Sequence, residues 1–259
     1  MRDHIVITPY FLDEAYPQFL TLGLRTDAVN SATPGRGDRM AAVAPLHRGL
    51  SDLVDDAVRR GERPVSICGD CCSAIGVLAG LQRAGMDVTL LWFDAHGDFN
   101  TWETTPSGFL GGMPLAMLVG RGDQRMADAV GLRPLPEGQV ILTDARDLDP
   151  GEREALEHSA VRVLRDVRLL LEEPPPDGLL WAHFDTDVID PADAPAQSYP
   201  APGGPSAAVL AGVFARLAST GRVAAVSVST WNPALDEGGH TRKVCLDLLD
   251  VLLGRRTPA

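Results

Sequence analysis

Two short acidic clusters carry the clearest chemical signal in the sequence. The motif DAHGD places Asp94, His96 and Asp98 at alternate positions, and the motif DTD places Asp185 and Asp187 in the same way. Alternate side chains of an extended segment lie on one face, so each cluster can converge on one point. Carboxylates grouped in this way repel one another unless cations neutralise them. We therefore predict two divalent metal ions, and oxygen ligands with an imidazole favour Mn²⁺ over Zn²⁺.

A third candidate segment, residues 67–74, contains three of the four cysteines of the chain. Cys68 and Cys71 form a C-x-x-C pair, which is also typical of thioredoxin-like redox sites. A redox site would leave both acidic clusters without a role. A zinc site would need a second Cys or His pair at suitable spacing, and Cys245 and His240 do not supply one. A cysteine that acts as a metal ligand accounts for more of the sequence.

The composition excludes several classes of function. The chain has 259 residues, of which 45% are hydrophobic and 22% charged, and its formal net charge is -12. Nucleic acids and anionic membranes bind clustered Lys and Arg, so we expect neither as a partner. No apolar run approaches the ~20 residues of a membrane span, and the N-terminal segment lacks the pattern of a signal peptide. We expect a cytoplasmic protein in which the cysteines stay reduced.

The elements that must position these residues alternate between strand and helix. Apolar, β-rich runs predict strands at 4–9, 64–68, 87–94, 139–143, 161–164, 179–185 and 223–230. Helical patterns occupy 38–60, 72–85, 113–120, 151–158, 206–219 and 240–253. Continuous hydrophobicity is typical of strands that are covered on both faces. The sequence therefore predicts an α/β fold with a parallel, doubly wound sheet, in a single domain over residues 1–259.

The candidate ligands follow the ends of these predicted strands. Cys71 comes after the second strand, Asp94 ends the third, Asp149 and Glu152 follow the fourth, and Asp185 ends the sixth. Parallel sheets bind ligands just beyond the carboxyl ends of their strands. We therefore expect these groups to meet at one edge of the sheet.

Three segments resemble signature motifs of the arginase and agmatinase superfamily, the ureohydrolases. They are FDAHGDFNT at 93–101, HFDTDVIDP at 183–191 and CGDCCSAIG at 68–76. The resemblance implies a three-layer α/β/α fold with a mostly parallel sheet of roughly eight strands. It also implies a binuclear manganese centre that hydrolyses a non-peptide C–N bond in a guanidine or another linear amidine, a small-molecule substrate.

The resemblance assigns a role to each ligand position. Asp94 and Asp185 would bridge the two Mn²⁺ ions, and both are predicted catalytic residues together with Asp98. His96 and Asp187 would complete one metal site, and Asp98 would belong to the other. The full set of implied metal ligands is Cys71, Asp94, His96, Asp98, Asp185 and Asp187.

Residues for substrate binding carry over in part. Asn100 and Ser107 match positions that hold an α-carboxylate in arginases, and Asp149 and Glu152 match positions where the α-amino group is bound. Together they predict a substrate with an amino-acid head group. A polar loop without a ligand stays open as the alternative, because Asn, Ser and Asp are the usual residues of turns.

Three departures from the family pattern point away from arginine itself. Cys71 stands where the first motif has a histidine ligand, and Gly111 stands at the catalytic histidine. Thr230, the fifth predicted substrate-binding residue, replaces the glutamate that contacts the guanidinium. Loss of a general acid or base typically costs ~10²- to 10⁴-fold in rate. A substrate that is less basic than a guanidine would need neither the catalytic histidine nor the glutamate as strongly. The segment 97–113 resembles the Nω-hydroxyarginine hydrolase branch associated with D-cycloserine biosynthesis.

Further expectations concern the alternatives and the remaining residues. A non-catalytic ligand-binding protein derived from the same fold is the second hypothesis, because a decaying active site would show the same departures. His183 precedes the DTD motif at a buried strand position, so we interpret it as a core histidine and not as a ligand. Because the chain has no obvious C-terminal extension to build larger assemblies, we expect a monomer or a small homo-oligomer.

Overall fold

A parallel β-sheet forms the centre of the computed structural model, which describes residues 1–229 and 231–257. Within those ranges the strands are β1 (Asp3–Thr8), β2 (Tyr10–Phe11), β3 (Glu14–Ala15), β4 (Ala28–Val29), β5 (Arg63–Cys68), β6 (Val88–Asp94), β7 (Val140–Asp144), β8 (Arg162–Leu164), β9 (Leu179–Asp185) and β10 (Val223–Ser229). Eight of them form one sheet in the order β4, β1, β5, β10, β9, β6, β7, β8. Every pair in that sheet is parallel, whereas β2 and β3 form a separate antiparallel hairpin.

Helices connect the strands of the sheet. They are α1 (Arg39–Arg59), α2 (Ala74–Arg83), α3 (Pro114–Leu118), α4 (Arg125–Ala129), α5 (Pro150–Glu157), α6 (Leu169–Glu172), α7 (Ala207–Ser219) and α8 (His240–Leu252). The longer helices begin at polar caps. Asp38 accepts a hydrogen bond from the backbone N–H of Ala41 at the start of α1, and Ser206 accepts one from Val209 at the start of α7. Such caps satisfy backbone donors that have no partner inside the helix.

The long strands of the main sheet send alternate side chains into two separate cores. In β6, Leu90 and Trp92 pack into the core that α1 and α2 cover, whereas Leu91 and Phe93 pack into the core that α7 and α8 cover. The strands are apolar on both faces because both faces are buried. The structure therefore confirms the predicted three-layer α/β/α fold with an eight-stranded parallel sheet.

All of the predicted elements are present. The shortest elements of the structure were not predicted. All seven predicted strands and all six predicted helices occur, with ends that differ by a few residues. The sequence analysis did not identify β4, the β2–β3 hairpin, α4 or α6. Strands of two residues and helices of about one turn are too short for a periodic pattern. No helix in the described part of the chain is long and apolar enough to cross a membrane.

The contact between α1 and α2 generates a prediction about stability. A Cβ atom on Gly80 of α2 would lie 2.6 Å from the carbonyl oxygen of Ser51 and 2.6 Å from Cβ of Val54, both in α1. Gly80→Ala should therefore lower the free energy of unfolding by ~1–3 kcal/mol, because the helices must separate. Urea unfolding of the purified protein measures this change.

A second helical glycine supplies the matched control. A Cβ atom on Gly212 of α7 would meet nothing within 4 Å. Gly212→Ala should raise the free energy of unfolding by ~0.4–1 kcal/mol, because alanine restricts the unfolded chain. Shifts of the same sign and size for both variants would contradict the close packing of α1 on α2.

Candidate metal centre

The candidate ligands lie beyond the carboxyl ends of four adjacent strands. The strands β5, β10, β9 and β6 are neighbours in the sheet. Cys71 follows β5, whereas Ser229, Asp185 and Asp94 are the last residues of β10, β9 and β6. The register pairs Ser229 with Asp185 directly. Residues that are far apart in the sequence therefore meet at one edge of the sheet, as the strand order requires.

A turn, and not an extended segment, brings His96 and Asp98 back towards Asp94. The backbone N–H of His96 donates to Oδ1 of Asp94 at 2.7 Å, and Asp98 has a φ of 50°, in the left-handed region. The prediction that these side chains share one face of an extended segment was therefore wrong, although the side chains do converge. Asp and Asn bond to the backbone two residues onward and tolerate this region, so the residue types suit the turn.

The structure brings all six predicted ligands together. Their donor atoms form overlapping groups in which every atom lies within 4.8 Å of the others: Cys71, Asp94 and Asp98; Asp94, His96 and Asp187; and Cys71, His183 and Asp185. Nδ1 of His96 lies 3.3 Å from Oδ1 of Asp94 and 3.2 Å from Oδ2 of Asp187. The thiol of Cys71 donates to Oδ2 of Asp185 at 2.6 Å. Asp94 belongs to two groups, which suits the bridging role predicted for it.

Burial makes this concentration of negative charge costly. The four aspartates of the cluster are each at most 5% exposed. Burial, and then the neighbouring carboxylates of Asp94 and Asp185, raise the pKa of Asp98 well above its usual range. Burial disfavours a charge on His96 as well, but its contacts with Asp187 and Asp94 outweigh that effect and raise its pKa to about 12. The electrostatics of the cluster therefore favour bound cations.

One oxygen atom tests whether a metal ion fits the cluster. Oδ2 of Asp98 is buried and has no hydrogen-bond partner among the described residues. A buried acceptor without a partner costs ~1–3 kcal/mol, and more when it is charged. The same side chain groups with Cys71 and Asp94, whose donor atoms lie within 4.8 Å. Carboxylates, one imidazole and one sulfur form a donor set that fits divalent transition metals.

Hydrogen bonds from the surrounding structure fix the orientation of the carboxylates. Nε1 of Trp92 donates to Oδ2 of Asp94 at 2.9 Å. The backbone N–H of Ala95 donates to Oδ1 of Asp187 at 3.3 Å, and that of Asp187 donates to Oδ1 of Asp185 at 3.1 Å. Such outer contacts hold metal ligands in a binding geometry before an ion arrives.

The remaining cysteines and His183 are enclosed by the protein. All four cysteines are buried, and none of them forms a disulfide within the described part of the chain. The thiol of Cys68 points to the carbonyl oxygen of Tyr10 and that of Cys72 to the carbonyl of Leu110, so neither contacts Cys71 through sulfur in a redox pair. His183 is fully buried, as expected of a core histidine, and burial lowers its pKa to about 3. Its ring also lies close to two ligands, which the sequence did not indicate.

A cavity of about 160 Å³ opens beside the cluster. Its lining includes four of the five predicted substrate residues, Asn100, Ser107, Asp149 and Glu152. The fifth, Thr230, lies outside the described residues. Asp147, which was not predicted, also lines the cavity, and the part of the chain that the structure describes contributes no Lys or Arg to the lining. The cavity therefore suits a cationic or neutral ligand better than an anionic one.

Two of the predicted substrate residues also hold the loops of the cavity in place. Glu152 accepts hydrogen bonds from the backbone N–H groups of Phe99 at 2.8 Å and Asp149 at 3.2 Å. Burial raises its pKa to about 7. Nδ2 of Asn100 donates to Oδ2 of Asp149 at 2.9 Å. Glu152 thus ties the loop after β6 to the start of α5.

An aromatic ring occupies the space beside Gly111. A Cβ atom on Gly111 would lie 2.4 Å from Cε1 and 2.5 Å from Cζ of Phe109. The ring centroid of Phe109 lies 5.1 Å from that of Tyr199 and 6.4 Å from that of Phe11. All three rings line the cavity, and none was predicted, because they come from three distant segments with no shared pattern. An aromatic wall therefore stands where the resemblance places a catalytic histidine.

Comparison with known proteins identifies the family. The model of the "Arginase family" matches residues 24–254. The arginase of Bacillus caldovelox is 32% identical over 232 residues, which are 84% of this chain and 77% of the relative. The N(omega)-hydroxy-L-arginine amidinohydrolase of Streptomyces lavendulae is 30% identical over 237 residues, which are 89% of this chain and 84% of the relative.

The solved structures agree with the sequence relatives. The structure of the arginase from Bacillus caldovelox has a TM-score of 0.87 at 28% identity and covers 99% of both chains. That of the arginase from Bacillus subtilis has a TM-score of 0.85 at 26% identity, again with 99% of both chains covered. The match extends from the strands through the loops that carry the acidic clusters. This chain therefore belongs to the arginase family.

Proposed function

We propose that this member of the arginase family is a dinuclear manganese hydrolase that cleaves a C–N bond of a modified guanidine or another linear amidine. The observation that carries the proposal is Oδ2 of Asp98, a buried carboxylate oxygen without a hydrogen-bond partner in the described ranges. It lies within a cluster that retains the five Asp and His positions of the two acidic motifs, Asp94, His96, Asp98, Asp185 and Asp187. A cytoplasmic location and a monomeric or small homo-oligomeric state stay predictions.

The residues of the cluster divide between two ion positions. Asp94, His96 and Asp187 would hold one Mn²⁺, whereas Cys71, Asp94 and Asp98 would hold the other. Asp185, which accepts a hydrogen bond from the Cys71 thiol, stays the second predicted bridging ligand. When bound, the two ions supply Lewis-acid activation of water and of the substrate. The protein itself holds Asp94 through Trp92 and Asp185 through the backbone of Asp187. These contacts keep the carboxylates aligned while the substrate binds.

We infer that the substrate carries an amino-acid head group on a less basic guanidine. Asp147 and Asp149 present acidic side chains to the cavity, where an α-amino group would bind, and Asn100 and Ser107 are neutral partners for a carboxylate. Gly111 has no side chain to transfer a proton, so a leaving group that needs less protonation suits the site. The relative named for Nω-hydroxy-L-arginine supports a substrate of this class.

The first prediction of this proposal concerns turnover. Protein loaded with Mn²⁺ should hydrolyse Nω-hydroxyarginine with a higher kcat/KM than arginine, agmatine, guanidino acids or formiminoglutamate. The measurement is the release of hydroxyurea, urea or ammonia. Asp98→Asn should reduce kcat/KM by at least ~10²-fold, because a catalytic ligand is lost. Two bound ions without turnover of any compound would instead favour a non-catalytic ligand-binding protein.

A second prediction tests whether Cys71 is a metal ligand. Cys71→His should keep two ions per chain and increase the preference for Mn²⁺ over softer metals, because imidazole is harder than thiolate. Cys71→Ala should retain only one ion. Metal analysis after dialysis measures both results.

The neighbouring cysteine is the control for this experiment. Cys72 is as buried as Cys71, but its sulfur contacts the carbonyl of Leu110 at 3.6 Å. Cys72→Ser should therefore leave the number of ions and the metal preference unchanged. Loss of an ion from Cys72→Ser, with none lost from Cys71→Ala, would contradict the assignment.

A third prediction concerns the coupling of Phe109 and Gly111. Gly111→His alone should not improve turnover of arginine, because its Cβ atom would meet the Phe109 ring at 2.4 Å. The double variant Phe109→Ala with Gly111→His should raise kcat for arginine by ~10²-fold over Phe109→Ala, as expected for a restored proton donor. Equal activity of Gly111→His and the double variant would show that the ring does not block this position.

A further inference from the structure

A continuous series of buried hydrogen bonds leads to the sulfur of Cys71. Nε1 of Trp181 donates to Oγ of Ser227 at 2.9 Å, and that oxygen lies 2.8 Å from Nδ1 of His183. Nε2 of His183 lies 3.2 Å from Oγ of Ser229, which lies 3.1 Å from Sγ of Cys71. Each of these five residues is at most 5% exposed. Water therefore does not compete for these contacts.

The pairing of β9 with β10 builds this series. Ser227 pairs with His183 and Ser229 pairs with Asp185 in the parallel register. Alternate residues of a strand lie on one face, so the two serines and the histidine share the face that leads to the ligands. The four residues of the series that precede Cys71 are thus fixed by the sheet.

The donors and acceptors of the series allow only one direction of hydrogen-bond donation, from Trp181 towards Cys71. An indole N–H can only donate, so Ser227 accepts from Trp181. Among the hydrogen bonds of residues 1–229 and 231–257, His183 is the remaining partner for the hydroxyl proton of Ser227, which places that proton on the side of Nδ1.

Hydrogen-bond donation continues in the same direction from the imidazole of His183 to the hydroxyl of Ser229. Because Nδ1 of His183 accepts the hydroxyl proton of Ser227, the N–H of the ring lies at Nε2. Nε2 then donates to Ser229. Because Ser229 accepts this bond, its hydroxyl proton is available for the sulfur of Cys71.

We propose that Ser229, oriented by His183, donates a hydrogen bond to the metal-bound thiolate of Cys71 and acts as a positioning residue for the metal centre. The proposal rests on Cys71 being a ligand, which is part of the proposed function. A thiolate is softer and more negative than the imidazole it replaces in the family motif. A hydrogen bond to the sulfur stabilises its charge and keeps the thiolate in place when the ion binds.

His183 also contacts a residue that orients a second candidate ligand, Asp94. The His183 ring stacks on Trp92 with 3.7 Å between ring centroids and 21° between planes. Trp92 in turn donates to Oδ2 of Asp94, the carboxylate shared by two of the donor groups. His183 is therefore held from one face by a residue that orients a second ligand. Its orientation and that of the cluster are set together.

The experiment uses the full chain loaded with Co²⁺, whose thiolate charge-transfer absorption reports the Cys71 sulfur directly. In Ser229→Ala this band should move to longer wavelength, because the thiolate loses a donor, and the ion at the cysteine site should bind ~10- to 100-fold more weakly. His183→Phe should shift the band in the same direction, because Ser229 loses the group that orients it. Ser229→Thr, which keeps the hydroxyl, should retain the wild-type band and affinity.

Ser66 provides the matched control. It is a buried serine that pairs with Ser227 in the register of β5 and β10, and its hydroxyl has no hydrogen-bond partner in the described part of the chain. Ser66→Ala should leave the band and both ion affinities unchanged. This variant separates the loss of a buried hydroxyl group from the loss of the donor to Cys71.

Three outcomes would overturn the proposal. A wild-type band that Ser229→Ala does not move would refute the hydrogen bond while leaving Cys71 as a ligand. Loss of one ion in His183→Phe, with none lost in Ser229→Ala, would show that His183 binds the ion itself. Absence of the band in the wild-type protein would refute the thiolate ligand and, with it, this part of the proposed function.

Discussion

The main physical constraint on this structure is the repulsion among carboxylates that are buried at one edge of the parallel sheet. Asp94, Asp98, Asp185 and Asp187 lie within one cluster, and each is almost fully enclosed by protein. Such a group is stable only if cations or protons balance its charge. The strand order, the turn after β6 and the outer hydrogen bonds all serve to hold these groups together against that repulsion. A cation that binds this cluster would therefore add its binding free energy to the stability of the folded state.

The cluster lies between regular strands and less regular segments. Below the ligands, Trp92, His183 and the serines of β10 belong to regular strands, and their positions follow from the register. Above the ligands, the cavity is lined mainly by side chains of the loops and short elements that follow the strands. The candidate ligands thus rest on the sheet, whereas the cavity rests mainly on the connecting segments. This division is common in α/β enzymes, because loops change without disturbing the sheet.

The sequence predicted the fold class and the meeting of the six candidate ligands at one edge of the sheet. These succeeded because long apolar strands and acidic motifs at strand ends are local signals. The left-handed turn at Asp98 and the rings of Phe11, Phe109 and Tyr199 were not predicted. Each depends on contacts between distant segments. Ser229 was also missed, since a single serine at a strand end has no distinctive spacing. Its role becomes visible only when β9 and β10 lie side by side.

The contact of Phe109 with Gly111 couples the proton chemistry of the site to the shape of its cavity. A Cβ atom at position 111 would lie 2.4 Å from the ring, so the ring must shift before a larger side chain fits. The same ring packs against Tyr199 and Phe11, so such a shift would change the aromatic wall of the cavity. A substitution that supplies a proton donor at position 111 would therefore also remodel the space in which the substrate binds.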